Sequence, residues 1–270
     1  MKKTLQLFGL PISTFSKMEL FSWLQKQLLG KNVPMQILCT PNAEQIVQAQ
    51  EDVAFQKILQ KADLLIPDGF FPFVFSSRLL KFFGKSEGII PERISGVEVA
   101  EFLLREAKQQ EQNMLLIGGY EYQRERPRSR LCEDFPKKDR QLYELEQHLF
   151  WLADFQYQEN TNEDALLKQL LDYCQPKIVF VALGAPKQEQ WLWQNRQLLQ
   201  KSGVKIALVV GGAFDFHFGK VKRAPIAWQN LGLEWLYRLL QEPWRAKRQG
   251  RLLRFLVLLW QTLVSSVPKT

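Results

Sequence analysis

Cysteine and histidine are scarce in this chain of 270 residues, which has three of the first and two of the second. Cys39, Cys132 and Cys174 are an odd, widely spaced set without a Cys-x-x-Cys pair. This excludes a disulfide framework and predicts reduced thiols in a cytosolic compartment. His148 and His217 are too few and too far apart for a zinc site, and we expect His217 to be a loop residue.

Several short motifs of phosphate and ion chemistry are also missing. Neither GxGxxG nor GxxxxGKS occurs, which disfavours a P-loop, a dinucleotide site and, with that site, a nicotinamide-dependent oxidoreductase. No Asp-x-Asp pair occurs, so no carboxylate clamp for a divalent ion on a nucleotide-sugar is predicted. We therefore expect neither a metal nor a cofactor.

Positive charge is present in excess, with a net charge of +8 at pH 7. Such a balance predicts an anionic partner, which could be nucleic acid, a phosphate-bearing substrate or a membrane surface. Six basic residues and one acid, Glu242, lie between Arg238 and Arg254. They alternate with aliphatic residues rather than with the aromatic residues that stack on bases. We therefore expect no nucleic acid as a partner.

Apolar runs of strand length recur along the chain, and most of them are followed by a pattern with helical spacing. The apolar runs are Met35–Thr40, Asp63–Pro67, Asn113–Gly118, Lys177–Gly184 and Val204–Gly211. The helical patterns are Ala43–Lys61, Gly96–Gln110, Asn162–Cys174 and Pro186–Lys201. This alternation predicts an α/β fold with a Rossmann-like, mostly parallel sheet flanked by helices. The predicted organisation is an α/β domain over residues 1–224 and a helical appendage over residues 225–270.

The C-terminal appendage ends in the apolar run LLRFLVLLWQTLVSSV. Arg254 interrupts the run, which is shorter than the roughly 20 residues of a bilayer span. A terminal core helix is one interpretation. The basic cluster beside Trp244, Phe255 and Trp260 favours the other, a helix that lies in a membrane interface. Because the opening MKKTLQLFGLP lacks the pattern of a secretory signal, we expect a cytoplasmic protein bound peripherally to the inner face of the plasma membrane.

Polar residues collect where two of the predicted strands end, and ligands bind at the carboxyl ends of strands in open parallel sheets. Asn42 has the pattern of a helix N-cap, with Gln45 completing a capping box, which explains Asn42 but not the hydroxyl of Thr40 at the strand tip. Asp68 lies in Pro67-Asp68-Gly69. It is either an ordinary turn residue or a general base within reach of a substrate hydroxyl.

Two later segments carry features that suit an anionic ligand. The segment from Gly184 to Glu189 opens a helix with a proline in its first turn, and the positive end of that helix suits a diphosphate. Gly211 and Gly212 allow the backbone to approach a ligand closely. The basic loop over residues 219–225 could reach a phosphate. Each signal is weak when taken alone.

Taken together, eight motifs in this order closely resemble the WecG/TagA/CpsF family of bacterial glycosyltransferases. The resemblance runs from about Leu7 to Arg248. The motifs are Thr40-Pro41-Asn42, Pro67-Asp68-Gly69, PERISG (91–96), Gly118-Gly119, VALGAPKQE (181–189), VGGAFDF (210–216), VKRAP (221–225) and GLEWLYRL (232–239).

The resemblance implies transfer of a sugar from a UDP-sugar to a polyprenyl-diphosphate-linked saccharide at the cytoplasmic membrane face. Family members transfer N-acetylmannosamine, its uronic acid, glucose or related sugars, with inversion and without a metal. Their products enter wall teichoic acid, enterobacterial common antigen or exopolysaccharide. The partners implied here are the donor, the acceptor and the membrane surface, and a homo-oligomer is left open.

The resemblance also implies roles for individual residues. Asp68 is similar to the catalytic base of the family, with Thr40 as its neighbour in the pocket. Arg93 and Gln188 resemble donor contacts. The remaining residues that the resemblance assigns to substrate binding are Asn42, Gly119, Gly212, Asp215, Arg238, Arg245 and Arg248. The last three belong to the C-terminal appendage, which is expected to close over the active site and to engage diphosphate.

The chemistry of inverting transfer fits these residues. One base must deprotonate the incoming hydroxyl, and positive charge must stabilise the departing UDP. Without a carboxylate clamp for a metal, guanidinium groups and a helix N-terminus would supply that charge. A non-catalytic membrane-surface protein that binds a nucleotide-sugar on the same fold is the rival interpretation. The intact Thr40, Asp68 and Gln188 argue against it.

Overall fold

A computed structural model describes residues 3–119, 122, 129–135, 141–152, 155, 164–225, 228, 234–241 and 246–264. The chain folds into two compact units. The first unit comprises Met1–Glu19, Thr40–Ser95 and Lys222–Thr270, and the second comprises Leu20–Cys39 and Gly96–Val221. The described helices beyond residue 225 thus belong to the first unit, and the division into residues 1–224 and 225–270 stays a prediction.

The described strands and helices alternate along most of the chain. The strands are β1 (Thr4–Leu7), β2 (Leu10–Ser13), β3 (Gln36–Cys39), β4 (Leu64–Leu65), β5 (Met114–Gly118), β6 (Arg130–Leu131), β7 (Leu142–Glu146), β8 (Leu149–Leu152), β9 (Ile178–Ala182) and β10 (Ile206–Val209). The helices are α1 (Lys17–Leu29), α2 (Ala43–Glu51), α3 (Val53–Lys61), α4 (Ser76–Phe82), α5 (Gly96–Gln109), α6 (Asp164–Cys174), α7 (Lys187–Lys201), α8 (Ala213–His217), α9 (Glu234–Gln241) and α10 (Ala246–Val264), and a π-helical turn (Phe70–Phe75) precedes α4.

The strands of the second unit lie in the order β3-β10-β9-β5-β8-β7-β6. The first five are mutually parallel, and β7 and β6 continue the sheet in antiparallel pairing. Every residue of β5 and β10 is buried, as expected of central strands covered on both faces. The predicted α/β fold with a mostly parallel sheet flanked by helices is confirmed.

The first unit begins with a short antiparallel pair, β1 and β2, that the apolar pattern did not predict. Phe8 and Gly9 form its turn, and both have positive φ angles, 51° and 73°, as in the tight turns that match the twist of a hairpin. β2 then pairs in parallel with β4. The predicted helix over Ala43–Lys61 is two helices, because Asp52 ends α2 and caps α3 by accepting a hydrogen bond from the Phe55 N–H at 3.0 Å.

Helix α10 packs into the first unit through one face. Phe255 has no exposed surface, and its ring meets the rings of Phe8 and Phe71 at centroid distances of 5.2 and 5.9 Å. Arg251 and Arg254 donate to Glu44 and Glu51 of α2 at 2.5 and 2.6 Å. This face of α10 is therefore used in packing within the first unit, and the interpretation of a helix that lies in a membrane interface stays a prediction.

The outer face of α10 is apolar as well. Trp260 is 67% exposed. The exposed apolar residues recur at helical spacing, at Leu253, Leu256, Val257, Trp260 and Val264. Among the helices that the structure describes, none combines the length and the apolar character needed to cross a bilayer.

Candidate active site

Three loops of the first unit are joined by backbone hydrogen bonds. The Asp68 N–H donates to the carbonyl of Pro41 at 3.2 Å, and the Ile94 N–H donates to the carbonyl of Pro67 at 3.1 Å. The loop of Asp68 is therefore held between the loops of Thr40 and Arg93. All three of these side chains are half-buried. Each therefore keeps some surface that a ligand can reach from solvent.

The turn after β4 fixes the position of Asp68. Gly69 has φ of +144°, and a Cβ there would lie 2.7 Å from Cγ of Pro72, so only glycine fits without strain. The backbone geometry of the turn thus explains why residue 69 is a glycine. It leaves the carboxylate of Asp68 at the tip of a strand, where the proposed base is expected.

Asn42 forms the predicted helix cap. Its Oδ1 accepts from the Gln45 N–H at 3.1 Å, and Oε1 of Gln45 accepts from the Asn42 N–H at 3.2 Å. The capping box is therefore confirmed. Because the side-chain carbonyl of Asn42 is used in the cap, its part in substrate binding stays a prediction.

Arg223 adds a second guanidinium group beside the loop of Arg93. Its Nη2 donates to Oγ of the buried Ser95 at 3.2 Å, two residues after Arg93. The sequence indicated a basic loop over residues 219–225 but did not single out this residue. The VKRAP motif was the available signal. A forked guanidinium suits phosphate oxygens, so Arg223 joins the candidate site.

In the second unit, the predicted residues follow three neighbouring parallel strands. Gly119 follows β5, Gln188 lies on α7 after β9, and Gly212 follows β10, and these strands are adjacent in the order β10-β9-β5. The Gly119 N–H donates to the carbonyl of Ala182 at 3.1 Å. The three residues therefore follow adjacent strands at the carboxyl edge of this sheet, and their roles in substrate binding stay predictions.

Gln188 is more deeply buried than we expect of a side chain that contacts the donor. It is 4% exposed, and its Nε2 donates to Oε1 of Glu189 at 3.0 Å. Its own Oε1 has no hydrogen-bond partner among the residues described here. A buried acceptor without a donor is costly, and the role of Gln188 in donor binding stays a prediction.

Asp215 is connected to the loop after β5 through Tyr122. The Tyr122 hydroxyl donates to Oδ1 of Asp215 at 3.1 Å, and burial, followed by the charge of Asp215, raises the pKa of Tyr122. The phenol is therefore a permanent donor. A Cβ at Gly119, where φ is +86°, would lie 2.0 Å from Cε2 of Tyr122, so Gly119 makes room for this ring. No sequence pattern singled out Tyr122.

His217 is the last residue of α8 rather than a loop residue, which corrects the prediction. Its Nε2 lies 2.9 Å from Oε1 of Glu146 on β7, and Nζ of Lys108 lies 3.2 Å from Oε2 of the same carboxylate. Burial raises the pKa of Glu146, but the hydrogen bonds and charges of His217 and Lys108 outweigh it and lower the pKa to about 2. This cluster anchors the end of the helix that carries Asp215.

The predicted arginines of the appendage are described only in part. Arg238 lies in α9 and Arg248 in α10, but their side chains are outside the described part of the chain, and Arg245 is outside it entirely. The described residues contain no group of three or more histidine, cysteine, aspartate or glutamate side chains that could hold a metal ion.

Comparison with known protein families gives one match that spans both units. The model of the family described as "Glycosyl transferase WecG/TagA/CpsF family" matches residues 5–268. The match covers nearly the whole chain, including the loops of Thr40, Asp68, Arg93 and Gln188.

Proposed function

The chain belongs to the WecG/TagA/CpsF family of glycosyltransferases, and on that premise we propose that it moves a sugar from a UDP-sugar to a polyprenyl-diphosphate-linked saccharide. The sugar is N-acetylmannosamine, its uronic acid, glucose or a related hexose. The reaction inverts the anomeric configuration, needs no metal and serves the assembly of a cell-surface polysaccharide or teichoic acid.

The observation that carries this proposal is the pair of backbone hydrogen bonds around Asp68. They tie its loop to that of Thr40 on one side and to that of Arg93 on the other. A carboxylate, a hydroxyl and a guanidinium are thereby brought to adjacent loops. These are the groups that base-assisted attack on a nucleotide-sugar requires.

In the proposed step, the Asp68 carboxylate accepts the proton of the acceptor hydroxyl as its oxygen attacks the anomeric carbon. The bond between that carbon and the β-phosphate oxygen of UDP breaks on the opposite face, which inverts the configuration. UDP leaves with the bonding electron pair. Thr40 orients the reacting groups beside Asp68.

The departing diphosphate needs positive charge, which the proposal assigns to arginine. Arg93 contacts the donor, and Arg223, held by Ser95, adds a second guanidinium in the same unit. By resemblance, Arg238, Arg245 and Arg248 engage diphosphate as well. Bidentate guanidinium–phosphate pairing is strong enough to assist a leaving group without a metal. Gln188 offers its amide to the donor.

The acceptor carries a polyprenyl chain, so the enzyme must work at a membrane surface, and the outer face of α10 supports this location. Its exposed Leu, Val and Trp residues share one side of a helix, as in helices that lie in the headgroup region. The proposed location is peripheral, on the inner face of the plasma membrane.

A panel of UDP-sugars tests the proposal when each is incubated with a prenyl-diphosphate-linked N-acetylglucosamine or glucose in the presence of excess EDTA. We expect acceptor-dependent UDP release from one donor, with an elongated saccharide as the second product. Absence of acceptor-dependent release from every donor would contradict the transfer. Release that EDTA abolishes and one divalent ion restores would contradict metal independence alone.

A further inference from the structure

The segment that follows the candidate base is unusually rich in phenylalanine. Residues 70–85 read FFPFVFSSRLLKFFGK and hold six of the chain's 19 phenylalanines, with three basic residues and no acid. The segment comprises the π-helical turn, α4 and the residues just beyond it. Its first phenylalanine comes two residues after Asp68.

The segment buries two hydroxyl side chains and exposes several phenylalanines. Ser76 and Ser77 are fully buried, and their hydroxyls donate to the carbonyls of Phe71 and Val74 at 2.9 and 3.1 Å. Phe82, by contrast, is 84% exposed and Phe83 is 57% exposed. Phe73 and Leu80 are buried as well, so the segment packs inward through other residues while Phe82 and Phe83 face outward.

The exposed phenylalanines form a surface rather than isolated contacts. Phe75 and Phe82 are seven residues apart along a helical segment, so they lie on one side of it. Phe82 and Phe83 meet edge to face at a centroid distance of 5.2 Å. We call Phe75, Phe82 and Phe83 the aromatic edge. Exposed apolar groups clustered in this way mark a site of contact with a partner or a membrane.

The charge around the aromatic edge selects the partner. Arg78, Lys81 and Lys85 belong to the same segment, and Lys81 and Lys85 flank Phe82 and Phe83 in the sequence. Arg78 donates to the carbonyl of Pro91 at 3.4 Å, and Lys81 donates to that of Glu87 at 2.8 Å. Glu87 is the first acid after the segment. A basic rim around exposed aromatic rings is complementary to an anionic lipid surface, where cations meet headgroups and rings enter the acyl boundary.

The aromatic edge is also continuous with the packing of α10 inside the first unit. Phe71 stacks on Phe75 at 5.1 Å and meets Phe255 of α10 at 5.9 Å, and α10 contacts α4 directly. These two elements, both of which expose apolar side chains, are therefore packed against each other. Rigid coupling of this kind lets both elements meet one surface together.

We propose that the aromatic edge is a second lipid-binding element, which inserts Phe82 and Phe83 into the headgroup region of an anionic bilayer. The inference rests on the proposed function, because that function places the enzyme at a membrane. It adds a contact in the segment that follows the loop of Asp68, in the same unit as the candidate base.

Flotation of the full-length protein with vesicles tests this inference. We expect Phe82→Ser/Phe83→Ser to bind vesicles containing phosphatidylglycerol at least roughly tenfold more weakly than wild type, because the apolar area of two rings is lost from the interface. Phe82→Trp/Phe83→Trp should bind like wild type. Met18→Ser is the matched control, because Met18 is 83% exposed on α1 and lies outside the aromatic edge. Thermal unfolding of each variant verifies that it is folded.

The possible results separate this inference from the proposed function. If wild type binds and the double serine variant binds equally well, the aromatic edge is not a lipid contact, although the membrane location stands. If the double variant instead changes only the sedimentation mass, the edge joins two copies of the chain and the inference is overturned. If wild type itself does not bind, the membrane location falls, and the inference falls with it.

Discussion

The phenolic hydroxyl of Tyr122 donates a hydrogen bond to Oδ1 of Asp215 across 3.1 Å. The two residues are 93 positions apart in the sequence, and the bond ties the loop after β5 to the helix after β10. The ring of Tyr122 is buried against Trp151 and Phe218, so the donor is rigidly held. The carboxylate of Asp215 is thereby fixed in one orientation within the second unit.

Removal of this hydroxyl should weaken donor binding more than it slows chemistry. Tyr122→Phe keeps the ring but leaves Asp215 without this donor, and we expect the donor KM to rise by roughly three- to tenfold with kcat little changed, equivalent to about 1 kcal/mol of lost positioning. Tyr143→Phe is the control, because the Tyr143 hydroxyl donates to Oε1 of the exposed Gln141 at 2.6 Å. Equal donor KM values for the two variants would show that the Tyr122 hydroxyl does not contribute to donor binding.

Gly119 and Gly250 should respond in opposite ways to a methyl group. Gly119→Ala places a Cβ 2.0 Å from the ring of Tyr122 at a φ of +86°, and we expect it to destabilise the fold by about 1–3 kcal/mol. Gly250 lies in α10 with open space around it, so Gly250→Ala should stabilise the fold by about 0.5–1 kcal/mol. Urea unfolding of both variants measures the difference, and a stable Gly119→Ala protein would contradict the packing described.

Acid should destabilise the protein through Glu146. Its pKa in the folded state is lowered to about 2 from an ordinary value of 4.5, so its contribution is fully present above about pH 4.5 and is lost as the pH falls toward 2. We expect Glu146→Gln to lower the unfolding free energy at pH 7 and to flatten its decline below pH 4.5. Glu51→Gln is the control, since Glu51 and its partner Arg254 are both exposed and such pairs contribute little. A decline in Glu146→Gln as steep as in wild type would exclude this carboxylate as its source.

The inner face of α10 should prove essential for stability. Phe255→Ala empties a fully buried site next to Phe8 and Phe71, and we expect a loss of about 3–5 kcal/mol. Leu256→Ala, on the exposed side of the same helix, should cost less than about 1 kcal/mol. Denaturant titration compares the two, and equal costs would mean that α10 is not docked.

The same packing changes how a membrane role of α10 must be tested. Deletion from Arg251 onward would remove Phe255 from the core of the first unit and expose Phe71. Loss of vesicle binding would then reflect unfolding as readily as a lost lipid contact. Substitution of Leu253 and Trp260 by serine changes only exposed side chains and leaves the docked face intact.

The sequence predicted the parallel core well because continuous apolar runs admit few other structures. The runs ending at Gly118 and Gly211 contain β5 and β10 at the predicted positions. The pair β7–β8 was missed because polar residues interrupt β7 and β8 has only four residues, so neither forms a long continuous apolar run. The β1–β2 hairpin was missed because its strands have four residues each, too few for a periodic signal.

Side-chain pairing was less predictable than strand position. The capping box of Asn42 is local, so spacing alone revealed it. The bond between Tyr122 and Asp215 and the contact between His217 and Glu146 join residues far apart in the chain, and no local pattern records them. The inward turn of Phe255 likewise depends on which face of an apolar helix meets the core, since α10 is apolar on both sides.

The most direct test of the central claim is the rate of sugar transfer to a short-chain, soluble prenyl-diphosphate acceptor by wild type and by Asp68→Asn. The substitution keeps the size of the side chain and the turn preference of the residue but removes the basic oxygen. We predict a fall in kcat of roughly two to four orders of magnitude, with an unfolding midpoint close to that of wild type. A variant that transfers sugar at the wild-type rate would contradict the assignment of Asp68 as the general base.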